Sequence, residues 1–233
     1  MPSLHYTHLI WDFNGTILDD VDVCIQSANA LLSSHSLPTL SSKEQYRALF
    51  GFPICDYYQR LGFDFSVTPY ADLAVEWVRY YTDFCRYGVL YKGVFEALCA
   101  VWARGDMEQW VLSATELVML KEQLSSLGID SYFHGVLGLD NIHANSKTAL
   151  ALSWRDQHPE ALPLMLGDTH HDAEVALAMG ADCVLLTTGH QTREELEKQP
   201  CLFVADSATE ALERLGIAGS LFPKSANEKE NLQ

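Results

Sequence analysis

The stretch LIWDFNGTILDD, residues 9–20, decides how this chain folds. Apolar residues lead to Asp12 and then to Gly15 and Thr16, a pattern typical of a buried strand that ends in a tight turn. Such a turn presents the Asp12 carboxylate at the end of the strand, where it either caps the turn or takes part in chemistry. Two residues later stands Asn14, whose amide has no proton to exchange. The stretch therefore predicts a strand-end site built around Asp12.

The composition indicates a folded chain with one large domain, or a core with a small insertion. Its 233 residues are 48% hydrophobic and 11% aromatic, enough for a substantial core. Fifteen Lys and Arg against 31 Asp and Glu give a formal charge of -16, which argues against nucleic acid and anionic membranes as partners. No apolar run approaches the ~20 residues that cross a bilayer, and no leader-like segment opens the chain. We therefore expect a cytoplasmic protein.

The six cysteines are scattered and form neither a CxxC pair nor a metal-binding spacing. This usage is typical of reduced, mostly buried thiols in an intracellular protein. The cysteines therefore predict no chemistry of their own.

Hydrophobic periodicity divides the chain into two parts. Residues 20–88 have helical spacing throughout, with breaks at Pro38, Gly51 and Gly62. From Gly93 onward, short apolar strands alternate with helices, which indicates an α/β fold with a parallel sheet. Continuous apolar runs predict four central strands, HLIWDF, QWVLS, LPLMLGD and CVLLTT. We expect a core from residues 1–19 and 89–218, a helical cap from 20–88 and a polar tail from 219–233.

Other polar residues follow the predicted central strands. Asp168 and Asp172 in GDTHHD stand at a strand end and a helix start, and with Asp12 they offer oxygen ligands that suit Mg²⁺, although Asp172 alone could be a helix N-cap. Ser113 follows QWVL, so its hydroxyl and the N–H of Ala114 could hold a phosphate, or Ser113 could be a simple cap. Because parallel sheets bind ligands at this edge, we expect these groups to converge.

Lys147 begins another predicted helix, in NSKTAL. Cations are disfavoured at helix N-termini because the N–H groups there carry partial positive charge. A strong anionic partner would explain the lysine, and a solvated surface position is the alternative.

In this order and spacing, DFNGT, Ser113 in VLSAT, Lys147 and GDTHHD resemble the four motifs of the haloacid dehalogenase superfamily of phosphohydrolases. The resemblance extends over roughly residues 5–215 and implies a Rossmann-like core. The insertion after the first motif resembles the helical C1-type cap of phosphoglycolate phosphatase-like members, and YKGV, residues 91–94, resembles their return to the core.

The resemblance implies an enzyme that hydrolyses a small phosphorylated metabolite in two steps. Asp12 would attack phosphorus to form an aspartyl phosphate, which water then hydrolyses. Mg²⁺ would be bound by Asp12, Asp168 and the backbone carbonyl of Asn14, with Asp172 helping directly or through water. Lys147 would offset the negative charge that gathers during the reaction, and Ser113 would bind a transferring oxygen.

Arg47 in the predicted cap is either a substrate contact or an exposed helix charge. The loop around Gly51 and Pro53 resembles a substrate-facing loop of related proteins. Five cap aromatics have helical spacing, which is more typical of packing within the cap than of a pocket: Tyr57, Tyr58, Trp77, Tyr80 and Tyr81. The sequence leaves the substrate and the oligomeric state open.

Asn14 departs from the family pattern, in which a second Asp protonates the leaving group and then activates water. Replacing this second Asp by Asn should spare metal binding through the backbone carbonyl. It should remove general acid-base catalysis worth ~10²- to 10⁴-fold in rate. The first explanation is a slow phosphatase, or one whose leaving group is acidic enough to depart unprotonated, such as an acyl phosphate. The second is an acid borrowed from the cap, from His170 or from His171.

Two further explanations change the reaction class. A phosphonatase would use a cap lysine as a Schiff base, and Lys43 is the cap's lysine in the relevant segment, but it is not at the expected place. Alternatively, the domain binds a phosphorylated metabolite with little or no turnover. An intact Asp12, Lys147 and Asp168 argue against the binder, which has no need of a nucleophile.

Overall fold

The computed structural model describes residues 5–85, 88–140 and 146–219. Six parallel strands form its sheet, in the order β3-β2-β1-β4-β5-β6. The strands are β1 (His8–Trp11), β2 (Glu108–Glu116), β3 (Gly135–Leu139), β4 (Pro163–Gly167), β5 (Asp182–Leu186) and β6 (Phe203–Ala205). The four strands predicted to be central occupy the four interior positions, which confirms that prediction and the α/β fold class. From residue 220 onward, the predicted polar tail lies outside the described residues.

Four helices follow β1 and form the helical insertion. They are α1 (Val21–Ser34), α2 (Lys43–Leu49), α3 (Ile54–Arg60) and α4 (Tyr70–Phe84). Their apolar faces meet in a cluster that includes Val21, Leu31, Tyr46 and Leu73, each at most 1% exposed. The insertion therefore has its own hydrophobic core, as the predicted cap requires, while the domain boundaries at residues 20 and 88 stay a prediction.

The remaining helices cover both faces of the sheet. They are α5 (Val94–Arg104), α6 (Leu117–Ser126), α7 (Lys147–Gln157), α8 (His170–Met179), α9 (Arg193–Leu196) and α10 (Ala208–Arg214). Alternation along β1 shows the two layers: Leu9 and Trp11 pack into the cluster with α5, α6 and α10, whereas Ile10 packs into the cluster with α7 and α8. Burying each such side chain stabilises the fold by about 1.5–3 kcal/mol.

Hydrogen bonds join the cap to the core above the carboxyl ends of the strands. Tyr46 Oη lies 2.8 Å from Nδ1 of His190, and Arg47 Nη2 donates to the Thr188 carbonyl over 2.8 Å. These bonds hold the cap over the sheet edge where the predicted site residues lie.

Two further expectations concern the whole described chain. All six cysteines are free thiols, but only Cys24 and Cys183 are buried, so the prediction of mostly buried positions is wrong. None of the helices in the described ranges combines the length and the apolar character needed to cross a membrane.

Candidate active site

Neighbouring parallel strands bring Asp12 and Asp168 together. β1 pairs with β4 in a register that places Trp11 opposite Leu166. Asp12 directly follows Trp11, and Asp168 directly follows Gly167, the last residue of β4. Carboxylate oxygens of Asp12, Asp168 and Asp172 all lie within 4.8 Å of one another, and all three residues are buried. The sequence prediction that these residues converge is therefore correct.

Lys147 lies against the three carboxylates. It is the first residue of α7, it is 4% exposed, and its Nζ donates to Asp12 Oδ1 and, over 2.5 Å, to Asp172 Oδ1. Burial alone would lower the pKa of Lys147, but Asp12 and Asp172 outweigh it and raise that pKa. The lysine is therefore charged, and its anionic partners explain its unusual place at a helix start.

Asp172 has partners for both carboxylate oxygens. Oδ1 accepts from Lys147, and Oδ2 accepts from the backbone N–H of Asp168 (3.1 Å) and from both the N–H and the hydroxyl of Thr169 (2.9 and 2.8 Å). Burial would raise the pKa of Asp172, yet Lys147 and these hydrogen bonds hold it below its ordinary value. Asp172 is thus ionised and orients Lys147. The N-cap of α8 is Thr169, and Asp172, the third residue of the helix, completes a capping box with it, so the N-cap alternative for Asp172 is wrong.

Asp168 is fixed from two sides. Oδ1 accepts from the Thr16 hydroxyl (3.1 Å) and Oδ2 accepts from the His190 N–H (2.7 Å). Burial raises the pKa of Asp168 to about 6 despite the opposing charge of His190, and it raises the pKa of Asp12 well above its ordinary range despite Lys147. The ionised forms of these buried, neighbouring carboxylates are disfavoured because too little positive charge lies nearby. A bound cation would stabilise the ionised forms.

Position 15 requires glycine because the turn after β1 passes very close to the Asp168 side chain. Its φ of +76° lies in the left-handed region, and a Cβ at this position would collide with the Asp168 carboxylate and lie 2.6 Å from Cδ2 of His190. A residue with a side chain would be strained both in its backbone and by this contact.

Asn14 uses three of the four hydrogen-bonding positions of its amide. Its Nδ2 donates to Asp20 Oδ2 (2.7 Å) and to Tyr81 Oη (2.8 Å), and its Oδ1 accepts from the Thr115 hydroxyl (2.7 Å). These partners come from the β1 turn, the cap and β2. The amide therefore joins three parts of the molecule at the place where the family pattern has an acid.

Asp20 and His190 form a buried ion pair that sequence reasoning missed. Nε2 of His190 lies 3.4 Å from Asp20 Oδ1, and the side chains are 6% and 1% exposed. Burial would lower the pKa of His190, but Asp20, Asp168 and Asp12 raise it to about 9. The available signals were Asp20 at the end of the opening stretch and the GHQ segment that follows β5. By contrast, His170 bonds to Gln191 and His171 packs on Phe52, so neither is an isolated exposed group.

A cavity of about 260 Å³ opens between these groups and the cap. Its core side includes Asp12, Lys147, Asp168, His190 and, within β2, Ser113 with Ala114. The strand continues three residues beyond Ser113, and Glu116 is the N-cap of α6, so the predicted strand end and the cap alternative for Ser113 are wrong. The Ser113 hydroxyl donates to Thr115 over 3.1 Å and accepts from the Thr115 N–H, and α6 begins at Leu117, near the predicted start. The predicted catalytic, metal-binding and phosphate-binding positions of the core thus surround one cavity.

The cap side of the cavity is aromatic. Tyr57, Tyr58, Trp77 and Tyr81 line it and also pack within the cap, so both interpretations of the cap aromatics apply, whereas Tyr80 does not line it. Arg47, a predicted substrate contact, lies outside the lining and bonds to the core loop.

Comparison with known proteins agrees with the geometry. Residues 9–186 match the family model for haloacid dehalogenase-like hydrolases. A phosphoglycolate phosphatase of Vibrio parahaemolyticus is 27% identical over 90% of this chain and 96% of its own, and the probable phosphatase IndB of Dickeya dadantii is 25% identical over 94% and 96%.

A haloacid dehalogenase-like family protein of Streptococcus pneumoniae, 18% identical, superimposes with a TM-score of 0.76 over 92% of this chain and 99% of its own, which shows the shared fold. The family-model match and the relatives named above confirm the resemblance first seen in four short motifs. The chain belongs to the family of haloacid dehalogenase-like hydrolases.

Proposed function

We propose that this hydrolase removes phosphate from a small phosphorylated metabolite through an aspartyl-phosphate intermediate on Asp12. One observation carries the proposal: the buried Asp12 carboxylate lines the cavity, in contact with Lys147 and beside Asp168. Lys147 offsets charge when an anionic phosphate approaches an anionic nucleophile. Relatives named as phosphatases support the same reaction class.

The donor set fits a divalent cation. Carboxylate oxygens of Asp12, Asp168 and Asp172 lie within 4.8 Å of one another and provide hard oxygen ligands. A divalent cation would also balance their negative charge. Asp12, Asp168 and the backbone carbonyl of Asn14 would bind Mg²⁺, with Asp172 near enough to help directly or through water. When bound, the ion supplies positive charge that the phosphate and the carboxylates share.

The rest of the phosphate site comes from β2 and the cap. Ser113 and the N–H of Ala114 would bind transferring oxygens, since both residues line the cavity beside Asp12. Arg47 as a substrate contact would require its side chain to leave the Thr188 carbonyl. We further infer a cytoplasmic location, on the charge and composition of the chain.

Asn14 supports a second candidate, a domain that binds a phosphorylated metabolite and turns it over slowly. The amide is held by Asp20, Tyr81 and Thr115 and has no proton to donate to a leaving group. The phosphonatase alternative gains no support, because Lys43 pairs with Asp22 over 2.9 Å and does not line the cavity.

The test is phosphate release, with and without Mg²⁺, from a panel of phosphate esters and acyl phosphates. Native protein is compared with Asp12→Asn, which keeps the shape of the side chain but removes the nucleophile. Beryllium fluoride with Mg²⁺ should also form a stable mimic of the aspartyl phosphate on native protein. Turnover that survives Asp12→Asn would refute the mechanism. Binding of phosphate esters without any turnover would favour the second candidate, a domain that binds a phosphorylated metabolite.

A further inference from the structure

The cap side of the cavity is built from aromatic rings. We call Phe50, Phe52, Tyr57, Tyr58 and Trp77 the aromatic wall; all five line the cavity. Neighbouring rings within it are in edge contact, with centroids 5.3 Å apart for Phe50 and Tyr57 and 5.8 Å apart for Phe50 and Phe52. Ring faces and edges of this kind favour an aromatic ligand over an aliphatic or anionic one.

The aromatic wall is not accompanied by a cap cation. The cap's described cations contact other groups, and none lines the cavity: Lys43 pairs with Asp22, Arg47 and Arg60 donate to backbone carbonyls, and Arg79 lies over Tyr80. Glu116 and Asp20 add negative charge to the lining. A substrate whose leaving group carries a carboxylate would meet no cap cation and nearby carboxylates, which disfavours it.

One polar group of the aromatic wall lacks a partner. Tyr57 is 3% exposed, and its hydroxyl forms no hydrogen bond with any residue that the structure describes. A buried hydroxyl without a partner costs free energy, and because this oxygen is closed to solvent, the ring of Tyr57 is the part that a bound molecule can contact. The cavity, at about 260 Å³, is smaller than sites of about 300–1,000 Å³ for drug-sized molecules, which limits the guest to about one ring.

The chemistry at Asn14 selects the same kind of guest independently. Because the amide cannot donate a proton to the departing oxygen, position 14 favours a leaving group that is stable enough to depart as an anion. A phenolic oxygen ionises near pH 10, whereas an aliphatic alcohol is nearly as weak an acid as water, roughly pKa 15.7 for water itself. Phenols therefore leave without help where aliphatic alcohols do not.

We propose that the substrates are phosphate monoesters of single-ring aromatic hydroxyl compounds, with the ring against the aromatic wall and the phosphate beside Asp12. This inference rests on the proposed phosphatase function. An Asp12 oxygen bonds to phosphorus as the bond from phosphorus to the aryl oxygen breaks, and the aryl oxide leaves with the electron pair and takes a proton from solvent. Water then cleaves the aspartyl phosphate, releasing inorganic phosphate and a proton and restoring the carboxylate.

The experiment compares phenyl, benzyl, cyclohexyl and glycolate phosphates with native protein and Mg²⁺. Benzyl phosphate keeps the ring but has an alcohol leaving group, and cyclohexyl phosphate keeps the size without aromaticity. We expect kcat/KM for phenyl phosphate to exceed that for the other three by at least ~10²-fold, the lower range of the missing acid's contribution. Calorimetry with phenylphosphonate and phosphonoacetate then measures recognition apart from turnover, and phenylphosphonate should bind more tightly.

Substitutions separate the aromatic wall from general effects on the fold. Trp77→Ala should lower kcat/KM for phenyl phosphate by about 2- to 10-fold, the range of an aromatic pair. Trp102→Ala is the matched control, because Trp102 is 48% exposed on α5 and does not line the cavity.

The outcomes are distinct. Asp12-dependent hydrolysis that is equally fast on glycolate or cyclohexyl phosphate would overturn the aryl inference and leave the phosphatase function standing. Absence of Asp12-dependent phosphate release from every ester and acyl phosphate would overturn both. A preference for phenyl phosphate in turnover, without tighter binding of phenylphosphonate, would overturn the role of the aromatic wall.

Discussion

The Asn14 amide nitrogen donates a hydrogen bond to the Asp20 carboxylate over 2.7 Å, and the Tyr81 hydroxyl bonds to both residues. Asp20 in turn accepts from the Gly15 N–H over 2.9 Å and pairs with His190. The position that would hold an acid in the family pattern is thereby tied to a buried anion. An amide suits this place because it donates to Asp20, which a carboxylate cannot do unless it carries a proton.

Asn14→Asp should increase hydrolysis of aliphatic phosphate esters. The new carboxyl would lie within hydrogen-bonding distance of Asp20, and two carboxylates so close retain one proton at neutral pH, available for a leaving group. We expect kcat to rise by up to ~10²- to 10⁴-fold, or roughly 3–5.5 kcal/mol, on benzyl phosphate and much less on phenyl phosphate. Steady-state kinetics of both esters test this; Asn14→Ala is the control, and equal gains on the two esters would contradict the role given to position 14.

Lys147→Met should destabilise the protein and reduce turnover together. The substitution leaves Asp12 and Asp172 buried without their cation, a change that costs about 3–5 kcal/mol in buried pairs. Urea unfolding at pH 7 measures the loss. Lys198→Met is the matched control, because that lysine pairs with Glu195 at the surface, with side chains 62% and 50% exposed, and should cost under about 1 kcal/mol. Similar losses for both variants would contradict the burial argument.

Stability should decrease at alkaline pH through His190. Its folded pKa of about 9 lies above the ordinary 6.5, so its stabilising contribution is complete below pH 6.5 and is lost as pH rises through 9. The pKa of Asp20 is lowered, because His190, Asn14 and Tyr81 outweigh burial, so Asp20 stays ionised across this range.

The measurement is the free energy of unfolding from pH 6.5 to 10 in EDTA, for native protein and His190→Gln. The difference between them should be on the order of 3 kcal/mol at the acidic end and near zero at pH 10. A difference that grows with pH would show that the histidine is neutral in the folded protein.

Gly15→Ala should be far more harmful than the same change at another left-handed glycine. Gly105 has φ +69° and no atom within 4 Å of a built Cβ, so Gly105→Ala should cost only the backbone term of about 1–2 kcal/mol. Gly15→Ala adds the collision with Asp168 and His190, for which overpacking suggests a further ~1–3 kcal/mol. Thermal unfolding of the two variants checks the difference, and equal costs would mean that the turn relaxes freely.

Mg²⁺ should stabilise the folded protein independently of turnover. A ligand at about 100 times its dissociation constant adds about 2.7 kcal/mol to the free energy of unfolding. Because the metal needs ionised carboxylates and the pKa of Asp168 is about 6, the effect should weaken as pH falls below 6. Asp168→Asn should abolish it, whereas Asp106→Asn, at an exposed carboxylate paired with Arg104, should not. A Mg²⁺ effect that survives Asp168→Asn would contradict the site.

Local patterns predicted the framework of the fold and the core side of the site. Continuous apolar runs identify central strands because both faces of a parallel sheet are buried, and strand ends of a parallel sheet share one edge. Asp12 and Asp168 could therefore be placed beforehand. Lys147 was predictable for a different reason: a cation at a helix start needs an anion, and Asp12 and Asp172 supply it.

The sequence by itself determined an α/β core, a helical insertion after the first strand, and a cluster of Asp12, Asp168 and Lys147 at one edge. Only the tertiary structure decided what surrounds them. Asp20 and His190 are 170 positions apart, yet they pair beneath the cap, and Tyr57 and Trp77 serve both the cap's packing and the cavity. Side-chain partners of this kind depend on how the cap docks on the core, and docking is set by packing between distant segments rather than by periodicity within any one of them.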